Sequence, residues 1–232
     1  MSSYIFPPAE IPSVPVRGSS ARYAVSRIFC VGRNYAAHAR EMGGNPDREP
    51  PFYFTKPANA LVPSGSTIAY PPGTKNYHYE MELVIAIGAP VFKVTPQAAK
   101  AAVWGYAAGL DMTRRDLQAE AKAAGRPWDT AKGFEQSAVI TDIVRASEAG
   151  ALDKGAITLA VNGAEKQRGD LSDMIWSVAE IVANLSQFYH LQPGDLIYTG
   201  TPEGVGAVKP GDVISGEIEG LATLSLTIGE PD

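Results

Sequence analysis

The run from Tyr77 to Ile87 constrains the fold more than any other part of this sequence. Its residues are YHYEMELVIAI, so Glu80 and Glu82 stand at the start of an apolar stretch. In an extended strand alternate side chains share a face, which places the two carboxylates roughly 6–7 Å apart on the same side. Two like charges on a half-buried surface are costly unless a cation neutralises them. The pattern therefore predicts either a strand with one hydrated face or a strand that supplies two ligands to a metal ion.

A second apolar run, from Val103 to Asp111, ends in an acid, and residues that favour a helix follow it. Taken alone, Asp111 is explained as part of the cap of a helix that opens at Thr113. Taken with Glu80 and Glu82, it completes a set of carboxylates from two strands. Carboxylate oxygens suit hard divalent cations such as Mg²⁺, Mn²⁺ or Ca²⁺, and such a site leaves positions for water or substrate.

The chain has 232 residues and a formal net charge of −5, which suits one domain with a large core. The acidic balance argues against a nucleic-acid partner, and no apolar run approaches the length of a membrane span. The proline-rich N-terminus lacks the basic start of a signal peptide. We therefore expect residues 1–24 to form an extended arm and residues 25–232 to form the folded domain. The single cysteine, Cys30, is expected to be a buried residue of a cytoplasmic protein.

Glycine and proline are frequent, at 23 and 18 residues, which indicates many turns and a β-rich chain with few helices. Asn162-Gly163 predicts a type I′ hairpin between residues 158–161 and 164–168. Apolar residues at helical spacing predict a long helix from Met174 to Tyr189, capped by Ser172 or Asp173. Strands and helices do not alternate, so we expect an α+β fold, a mixed β-sandwich roll with marginal helices. The other predicted strands are 27–31, 52–55, 67–70, 78–87, 196–199, 212–219 and 221–228.

His38 and Glu41 are three residues apart, so a helix would place them on one face. A carboxylate beside an imidazole raises the basicity of the imidazole, and such a pair can activate water as a general base. The glycine-bearing segment 43–47 would let this short helix act as a lid. An exposed polar helix face is the alternative explanation of the same spacing.

Arg115 and Gln118 have the same spacing on the helix after Asp111, which would turn them toward the predicted cation. A guanidinium and an amide there suit a substrate carboxylate or a developing oxyanion, although a solvated helix face explains them equally well. Lys132, in an aromatic and glycine-bearing stretch, is either a positive group of a pocket or a solvated side chain. His78 shares the strand of the glutamates and is expected to support the ligands instead of binding the ion.

In order and spacing, these segments resemble the fumarylacetoacetate hydrolase family. The resemblance runs from about Ile28 to Ile228 and rests on CVGRNY with His38 and Glu41, and on EME, DMTRRDLQ, AKGF and TGTPEGVG further along the chain. It implies a mixed β-sandwich roll, usually a homodimer. It also implies that one Mg²⁺ or Mn²⁺ ion is held by Glu80, Glu82 and Asp111.

The resemblance assigns the reacting groups as well. His38 and Glu41 match the water-activating pair of the family, and Lys132 matches its active-site lysine. Arg115 and Gln118 match a pair that orients the substrate.

Two further residues are implied to bind substrate. Thr201 matches a threonine that contacts the carboxylate end of the substrate. Arg33 is the other predicted substrate-binding residue. Glu203 departs from the family pattern, because many relatives carry a lysine there, and this difference alters the charge of the pocket.

The implied activity is metal-dependent hydrolysis of a carbon–carbon bond in a 2,4-dioxo acid of the 3-acylpyruvate class. The short chain and the segments 54–57 and 125–132 favour fumarylpyruvate, an intermediate of gentisate-type aromatic catabolism, with fumarate and pyruvate as products. The same ligand set suits oxaloacetate decarboxylation, acetylpyruvate hydrolysis or isomerisation of a 2-oxo diacid. His38 and Glu41 weigh against a pure isomerase, which needs no activated water. A structural Ca²⁺-binding β-domain without turnover would give these groups no role.

Overall fold

The computed structural model describes residues 4–43 and 49–232. Their strands are β1 Ser13–Pro15, β2 Arg22–Ala24, β3 Arg27–Gly32, β4 Phe52–Lys56, β5 Leu61–Pro63, β6 Thr67–Ile68, β7 Tyr77–Tyr79, β8 Met81–Ile87, β9 Val103–Asp111, β10 Thr113–Arg114, β11 Ala138–Ile140, β12 Val144–Arg145, β13 Ala156–Val161, β14 Ala164–Asp170, β15 Asp195–Tyr198, β16 Gly206–Val208, β17 Val213–Ile218 and β18 Leu224–Ile228. The helices are α1 Ala36–Glu41, α2 Pro96–Lys100, α3 Arg115–Ala123, α4 Asp129–Lys132, α5 Ala146–Ala149 and α6 Val178–Leu185, and 3-10 turns lie at Ala58–Ala60 and Leu171–Asp173. Within these residues no helix has the length and hydrophobicity needed to cross a bilayer.

In the described chain, the largest sheet has the strand order β4-β3-β15-β8-β9-β11-β5, with β12 paired to β9. The pairs β3–β15 and β5–β11 are parallel and the other pairs are antiparallel, so the sheet is mixed. β8 lies at its centre, and each residue of β8 is buried. This position explains why the sequence of β8 is apolar on both faces after Glu82.

Alternate side chains of the large sheet enter two apolar clusters. Leu83 and Ile85 of β8 belong to the larger cluster, whereas Val84 and Ala86 belong to the smaller one. A second sheet, β14-β13-β17-β18-β6, covers the larger cluster. Its contributions include Leu159, Ile214 and Leu226. The two sheets and the short peripheral helices confirm the predicted β-rich sandwich roll.

A small sheet, β10-β7-β16, joins the large sheet at one place. β7 passes into β8 at Glu80, and β9 passes into β10 at Met112, so the segments that carry Glu80 and Asp111 change sheets side by side. The backbone N–H of Asp111 donates to the Glu80 carbonyl at 2.9 Å across this junction. The prediction of one strand over residues 78–87 is therefore corrected to two strands in different sheets, with Glu80 between them.

The N-terminal segment pairs with the domain from residue 12 onward. Val14 of β1 is buried in the smaller cluster, the Val25 N–H donates to the Pro12 carbonyl at 2.8 Å, and the Ile143 N–H donates to the Pro15 carbonyl at 2.9 Å. Before this hairpin, large apolar side chains are exposed: Tyr4, Ile5, Phe6 and Ile11. The division of the chain at residue 24 stays a prediction.

The long helix predicted for residues 174–189 is shorter, because α6 spans only Val178–Leu185. Ser177 and Glu180 form a capping box at its start, with the Ser177 N–H donating to the Glu180 carboxylate at 3.0 Å. Just before it, the Ile175 N–H donates to the Asn34 carbonyl at 2.7 Å. Residues 174–176 therefore pair with the β3–α1 connection, and Ser172 and Asp173 belong to a separate 3-10 turn.

Candidate active site

The predicted metal ligands meet where the large and small sheets join. Glu80 stands between β7 and β8, Glu82 lies on β8, and Asp111 is the last residue of β9. All three side chains are buried, and one carboxylate oxygen from each lies within 4.8 Å of the others. Of the two predicted alternatives, the hydrated strand face does not fit these buried carboxylates, which require positive charge nearby.

Two buried lysines supply part of that charge. The Lys132 ammonium donates to Glu80 Oε2 at 2.8 Å, to Asp111 Oδ2 at 2.7 Å and to Thr113 Oγ1 at 2.7 Å. The Lys56 Nζ lies 2.9 Å from Asp111 Oδ1 but donates its hydrogen bonds to the carbonyls of Met112 and Lys132. Asp111 Oδ1 consequently has a charged neighbour and no hydrogen-bond donor among the described residues.

The electrostatic environment differs between the two glutamates. Burial raises the pKa of Glu82, and the charges of Asp111 and Glu80 raise it further. Burial acts in the same direction on Glu80, but Lys132 and Arg115 outweigh it and hold the pKa of Glu80 well below its usual range. Among the described residues Glu82 forms no ion pair, and its Oε2 accepts the Gly200 N–H at 2.8 Å.

These observations fit a divalent cation among the three carboxylates. Asp111 Oδ1 is a buried acceptor that has a lysine beside it but no hydrogen bond, and no described lysine would pair with an ionised Glu82. A cation bound by all three residues would satisfy both groups, and the all-oxygen donor set suits Mg²⁺ or Mn²⁺.

Arg115 and Gln118 form one wall beside the carboxylates. They lie on α3 at the predicted spacing, and Arg115 Nη1 donates to Gln118 Oε1 at 2.5 Å. Arg115 Nη2 donates to Glu80 Oε1, also at 2.5 Å. The Arg115 Nε–H donates to His78 Nδ1 at 3.4 Å, while His78 Nε2 contacts Asn76 Oδ1 at 2.8 Å. Burial and the nearby guanidinium lower the pKa of His78 to about 4, so His78 is neutral and supports Arg115.

His38 and Glu41 lie together on α1, with His38 Nδ1 3.0 Å from Glu41 Oε2. A carboxylate accepts a hydrogen from Nδ1, which leaves Nε2 as the basic nitrogen. The Gly204 N–H donates to both oxygens of Glu41, at 3.1 and 3.3 Å. Gly204 has a φ of +92°, and a Cβ there would lie 2.1 Å from the Lys166 carbonyl oxygen. The predicted lid segment falls largely on residues 44–47, outside the described residues.

The candidate residues surround one pocket of about 480 Å³. Glu41 and Asp111 lie behind its wall, in contact with His38 and Lys132. The apolar part of the wall includes Phe52, Phe54 and Trp128. The other predicted site residues all line the pocket: Arg33, His38, Glu80, Glu82, Arg115, Gln118, Lys132 and Thr201.

Two cationic side chains of the pocket are not engaged with the carboxylates. The Arg33 guanidinium lies 5.3 Å from the centre of the Phe52 ring, and the residue has a φ of +54°. The Lys122 ammonium donates to the Met42 carbonyl at 3.2 Å. Neither Arg33 nor Lys122 lies within 4.0 Å of a carboxylate of the described residues. The pocket therefore has positive charge available for an anionic ligand.

Lys56, Lys122 and Gln167 also contact the site or line its pocket, and they were not among the predicted site residues. Lys122 continues the Arg115–Gln118 face of α3, so helical spacing could have identified it. Lys56 and Gln167 each stand in a strand, and no periodic pattern indicates that their polar ends are buried. Only the contacts made in the folded chain distinguish them from solvated side chains.

The fold is a mixed β-sandwich roll. Its pocket combines a carboxylate triad, a histidine–glutamate pair and a buried lysine, a combination that is typical of a metal-dependent enzyme. The profile of the fumarylacetoacetate (FAA) hydrolase C-terminal domain matches residues 27–229. The chain belongs to the fumarylacetoacetate hydrolase family, as the sequence motifs predict.

Individual relatives are also similar over most of the chain. Fumarylpyruvate hydrolase of a Ralstonia species is 59% identical over 181 residues, which cover 78% of this chain and 94% of the relative. The mitochondrial oxaloacetate tautomerase FAHD1 of Homo sapiens is 42% identical over 205 residues, 88% of this chain and 92% of the relative. A crystal structure of fumarylpyruvate hydrolase from Pseudomonas aeruginosa with Mn²⁺ and pyruvate has a TM-score of 0.96 at 52% identity, covering 98% of this chain and 100% of that one.

Proposed function

We propose that this enzyme hydrolyses the carbon–carbon bond of 3-acylpyruvates and that fumarylpyruvate is its preferred substrate. The observation that carries the proposal is the meeting of a buried carboxylate triad and the His38–Glu41 pair at one pocket. The similarity to fumarylpyruvate hydrolases of 59% and 52% identity supports the choice of substrate. The products are fumarate and pyruvate.

Glu80, Glu82 and Asp111 would hold one divalent cation, Mg²⁺ or Mn²⁺, with Ca²⁺ as a further candidate. When bound, such an ion supplies positive charge that stabilises the 2-oxo acid and the enolate that develops from it. The Pseudomonas aeruginosa relative contains Mn²⁺, which supports this assignment. Lys132, in contact with Glu80 and Asp111, adds a fixed positive charge on the same side of the pocket.

His38 acts as the general base in this proposal. Glu41 accepts the Nδ1 hydrogen, and Nε2 removes a proton from a water molecule. The water oxygen attacks the carbonyl carbon of the acyl group, and the bond between that carbon and the methylene carbon of pyruvate then breaks. The electron pair leaves with the pyruvate enolate, which takes up a proton to give pyruvate, while the acyl group leaves as a carboxylic acid.

The pocket walls suit a substrate with a carboxylate at each end. We assign Arg115, Gln118 and Thr201 to the 2-oxo acid end. Arg115 and Lys122 are seven residues apart on α3, which spans about 10 Å along the helix axis. A seven-carbon diacid with C–C bonds of about 1.5 Å extends roughly 7–8 Å between its carboxyl carbons. We therefore assign the second carboxylate of fumarylpyruvate to Lys122 and Arg33, the cations that lack a carboxylate partner.

The alternative activities use the same ligands. Similarity to human oxaloacetate tautomerase, at 42% identity, favours oxaloacetate as a second candidate substrate, for tautomerisation or decarboxylation. Isomerisation of a 2-oxo diacid needs only enolate stabilisation. Acetylpyruvate hydrolysis needs the water-activating pair but not the distal cations. The His38–Glu41 pair favours hydrolysis over isomerisation, and a Ca²⁺-binding domain without turnover would use none of these groups.

A spectrophotometric comparison of fumarylpyruvate, maleylpyruvate, acetylpyruvate and oxaloacetate, each with Mg²⁺ and with Mn²⁺, tests the function. We expect the highest kcat/KM for fumarylpyruvate and stoichiometric release of fumarate and pyruvate. Consumption of oxaloacetate without cleavage of any 3-acylpyruvate would replace this proposal with the tautomerase or decarboxylase alternative.

We also propose that the enzyme is a cytoplasmic homodimer. The exposed apolar side chains of Tyr4, Ile5, Phe6 and Ile11 support the dimer, because a second copy would bury them. Light scattering on a gel-filtration column should give twice the chain mass, and deletion of residues 1–11 should weaken the dimer. A monomer at micromolar concentration would contradict the proposal.

A further inference from the structure

Gln167 is a buried amide in a strand whose neighbouring residues are exposed. Its side chain is fully buried, whereas Glu165, Lys166 and Arg168 of β14 are exposed. A β-bulge explains this change: Ala160 pairs with Glu165 and Leu159 pairs with Gln167, so Lys166 has no partner. Bulges re-aim side chains and are frequent next to active sites. Here the bulge directs Gln167 at the loop that carries Thr201.

Three hydrogen bonds fix the orientation of this amide. Its Oε1 accepts the Met81 N–H at 3.0 Å, and its Nε2 donates to Thr201 Oγ1 at 2.9 Å and to the Pro202 carbonyl at 2.8 Å. A backbone N–H only donates and a carbonyl only accepts, so the amide has a single orientation. Because Gln167 donates to Thr201, the hydroxyl hydrogen of Thr201 stays available to a ligand in the pocket.

The same amide holds the backbone between two ligand residues. Met81 lies between Glu80 and Glu82, at the point where the chain passes from the small sheet to the large sheet. Its N–H donates to Gln167 Oε1 at 3.0 Å. One side chain therefore links the segment that carries the candidate metal ligands to the loop that carries Thr201.

We propose that Gln167 is a positioning residue of this site. It orients the Thr201 hydroxyl as a hydrogen-bond donor to the carboxylate of a 2-oxo acid, and it holds the Glu80–Glu82 backbone in the geometry that binds the cation. The part that concerns Thr201 rests on the proposed function, since it assumes a 2-oxo acid in the pocket. Nothing in this role requires Gln167 to touch the substrate.

Equilibrium binding tests the proposal without turnover. Gln167→Met keeps the length of the side chain and removes its hydrogen bonds. Mn²⁺ affinity is measured by electron paramagnetic resonance of the free ion, and pyruvate affinity of the Mn²⁺-loaded protein by calorimetry. We expect Gln167→Met to weaken Mn²⁺ binding about tenfold, as loss of a supporting hydrogen bond does in other metal sites. We expect it to weaken pyruvate binding by a similar factor.

A double-mutant cycle separates a positioning role from a general loss of structure. Thr201→Val removes the hydroxyl itself, so Gln167→Met should weaken pyruvate binding no further in the Thr201→Val background. If the losses of pyruvate affinity in the two single variants multiply in the double variant, the link between Gln167 and Thr201 is overturned. Unchanged Mn²⁺ affinity in Gln167→Met would overturn the role at the ligand backbone.

A second variant keeps the proposal testable if Gln167→Met does not fold. Gln167→Glu retains the acceptor for the Met81 N–H and removes the donor to Thr201, so pyruvate binding should weaken while Mn²⁺ binding does not. Unchanged pyruvate affinity in this variant would contradict the proposal.

Thr141→Val is the matched control, because Thr141 Oγ1 is buried, accepts the Ala108 N–H at 3.1 Å and does not line the pocket. It should lower thermal stability and leave both affinities unchanged. If the wild-type protein binds Mn²⁺ and pyruvate but cleaves no 3-acylpyruvate, the proposed function fails and the role of Gln167 stands.

Discussion

Lys132 and Lys56 approach different oxygens of the Asp111 carboxylate, and neither lysine is exposed to solvent. The motif around Lys132 identifies it with the active-site lysine of the family. The spacing of residues along the chain does not indicate that its ammonium contacts Glu80. At the residue scale, the site therefore depends on which side chains are buried together. Two of the pocket's residues lend themselves to direct tests of the proposed mechanism: His38 and Lys122.

His38→Ala removes the proposed general base and leaves the carboxylate triad intact. We expect kcat for fumarylpyruvate to fall by about 10²–10⁴-fold, the range typical of a lost general base, while Mn²⁺ affinity stays within twofold. Steady-state kinetics and metal titration measure the two quantities. A kcat close to that of the wild type would remove the His38–Glu41 pair from the mechanism.

Lys122→Met tests the assignment of the distal carboxylate. Lys122 has no carboxylate partner among the described residues, so its charge is free to bind a substrate anion. We expect KM for fumarylpyruvate to rise about five- to tenfold, which corresponds to roughly 1 kcal/mol for an exposed ion pair. Acetylpyruvate, which has a methyl group in place of the second carboxylate, is the internal control. An equal change in KM for both substrates would contradict the assignment.

At the scale of secondary-structure elements, α1 is attached to the rest of the site through its last residue. The carboxylate of Glu41 binds His38 on one side and the Gly204 N–H on the other. Gly204 in turn lies against the bulged strand β14, close to the Lys166 carbonyl. The position of α1 over the pocket is thereby linked to the conformation of the loop that carries Thr201.

Gly204→Ala should disturb this attachment. Its φ of +92° and the 2.1 Å approach of a Cβ to the Lys166 carbonyl oxygen leave no room for a side chain. The left-handed conformation alone costs about 1–2 kcal/mol for a residue with a Cβ. We expect lower thermal stability and a kcat reduced at least tenfold, because Glu41 loses its backbone donor.

Gly220→Ala provides the control for Gly204→Ala, since Gly220 has a φ of +85° and a Cβ there meets no atom within 4 Å. It should share the stability loss due to backbone conformation and retain the wild-type kcat. Equal kcat values for the two variants would contradict a role for Gly204 in holding α1.

The sequence predicts some of these elements well and others not at all. β9 has the predicted bounds, Val103–Asp111, because a long buried strand has a continuous apolar pattern. Positive φ angles at Asn162 and Gly163 agree with the predicted hairpin turn. The break at Glu80 was missed because the alternation of side chains does not record which sheet a strand joins. The helix was predicted to start too early because Ile175 fits its apolar spacing, but the Ile175 N–H donates to the Asn34 carbonyl instead.

The candidate site was predictable to a similar degree. The acids at residues 80, 82 and 111 stood out as charges in apolar strands, and family motifs identified the remaining candidates. Gln167 could not be predicted, because its direction depends on a bulge that pairing with β13 creates. A polar residue such as Gln167, which hydrogen-bonds to other site residues, does not produce a periodic pattern in the sequence. Only the contacts of the folded chain identify it.

At the scale of the whole molecule, a cation at the triad would tie together the two sheets that meet at Glu80 and Asp111. A ligand that binds only the folded state at 100 times its Kd adds about 2.7 kcal/mol to the free energy of unfolding. We expect a chelator to lower Tm by about 5–10 °C in a chain of this size. Differential scanning fluorimetry with Mn²⁺ and with EDTA measures the shift.

Asp111→Asn should abolish most of that shift, because it removes the charge of one proposed ligand while keeping the shape of the side chain. An exposed carboxylate such as Glu165, substituted by Gln, is the control and should leave the shift unchanged. Identical Tm values with Mn²⁺ and EDTA in the wild-type protein would show that no cation binds at the triad.

The contact of Lys132 with both Glu80 and Asp111 also matters for the metal-free state of the protein. The ammonium acts as an internal counter-ion, so two of the three acids have a positive partner before any divalent cation binds. A divalent cation at the triad would share Glu80 and Asp111 with the Lys132 ammonium, which contacts both carboxylates.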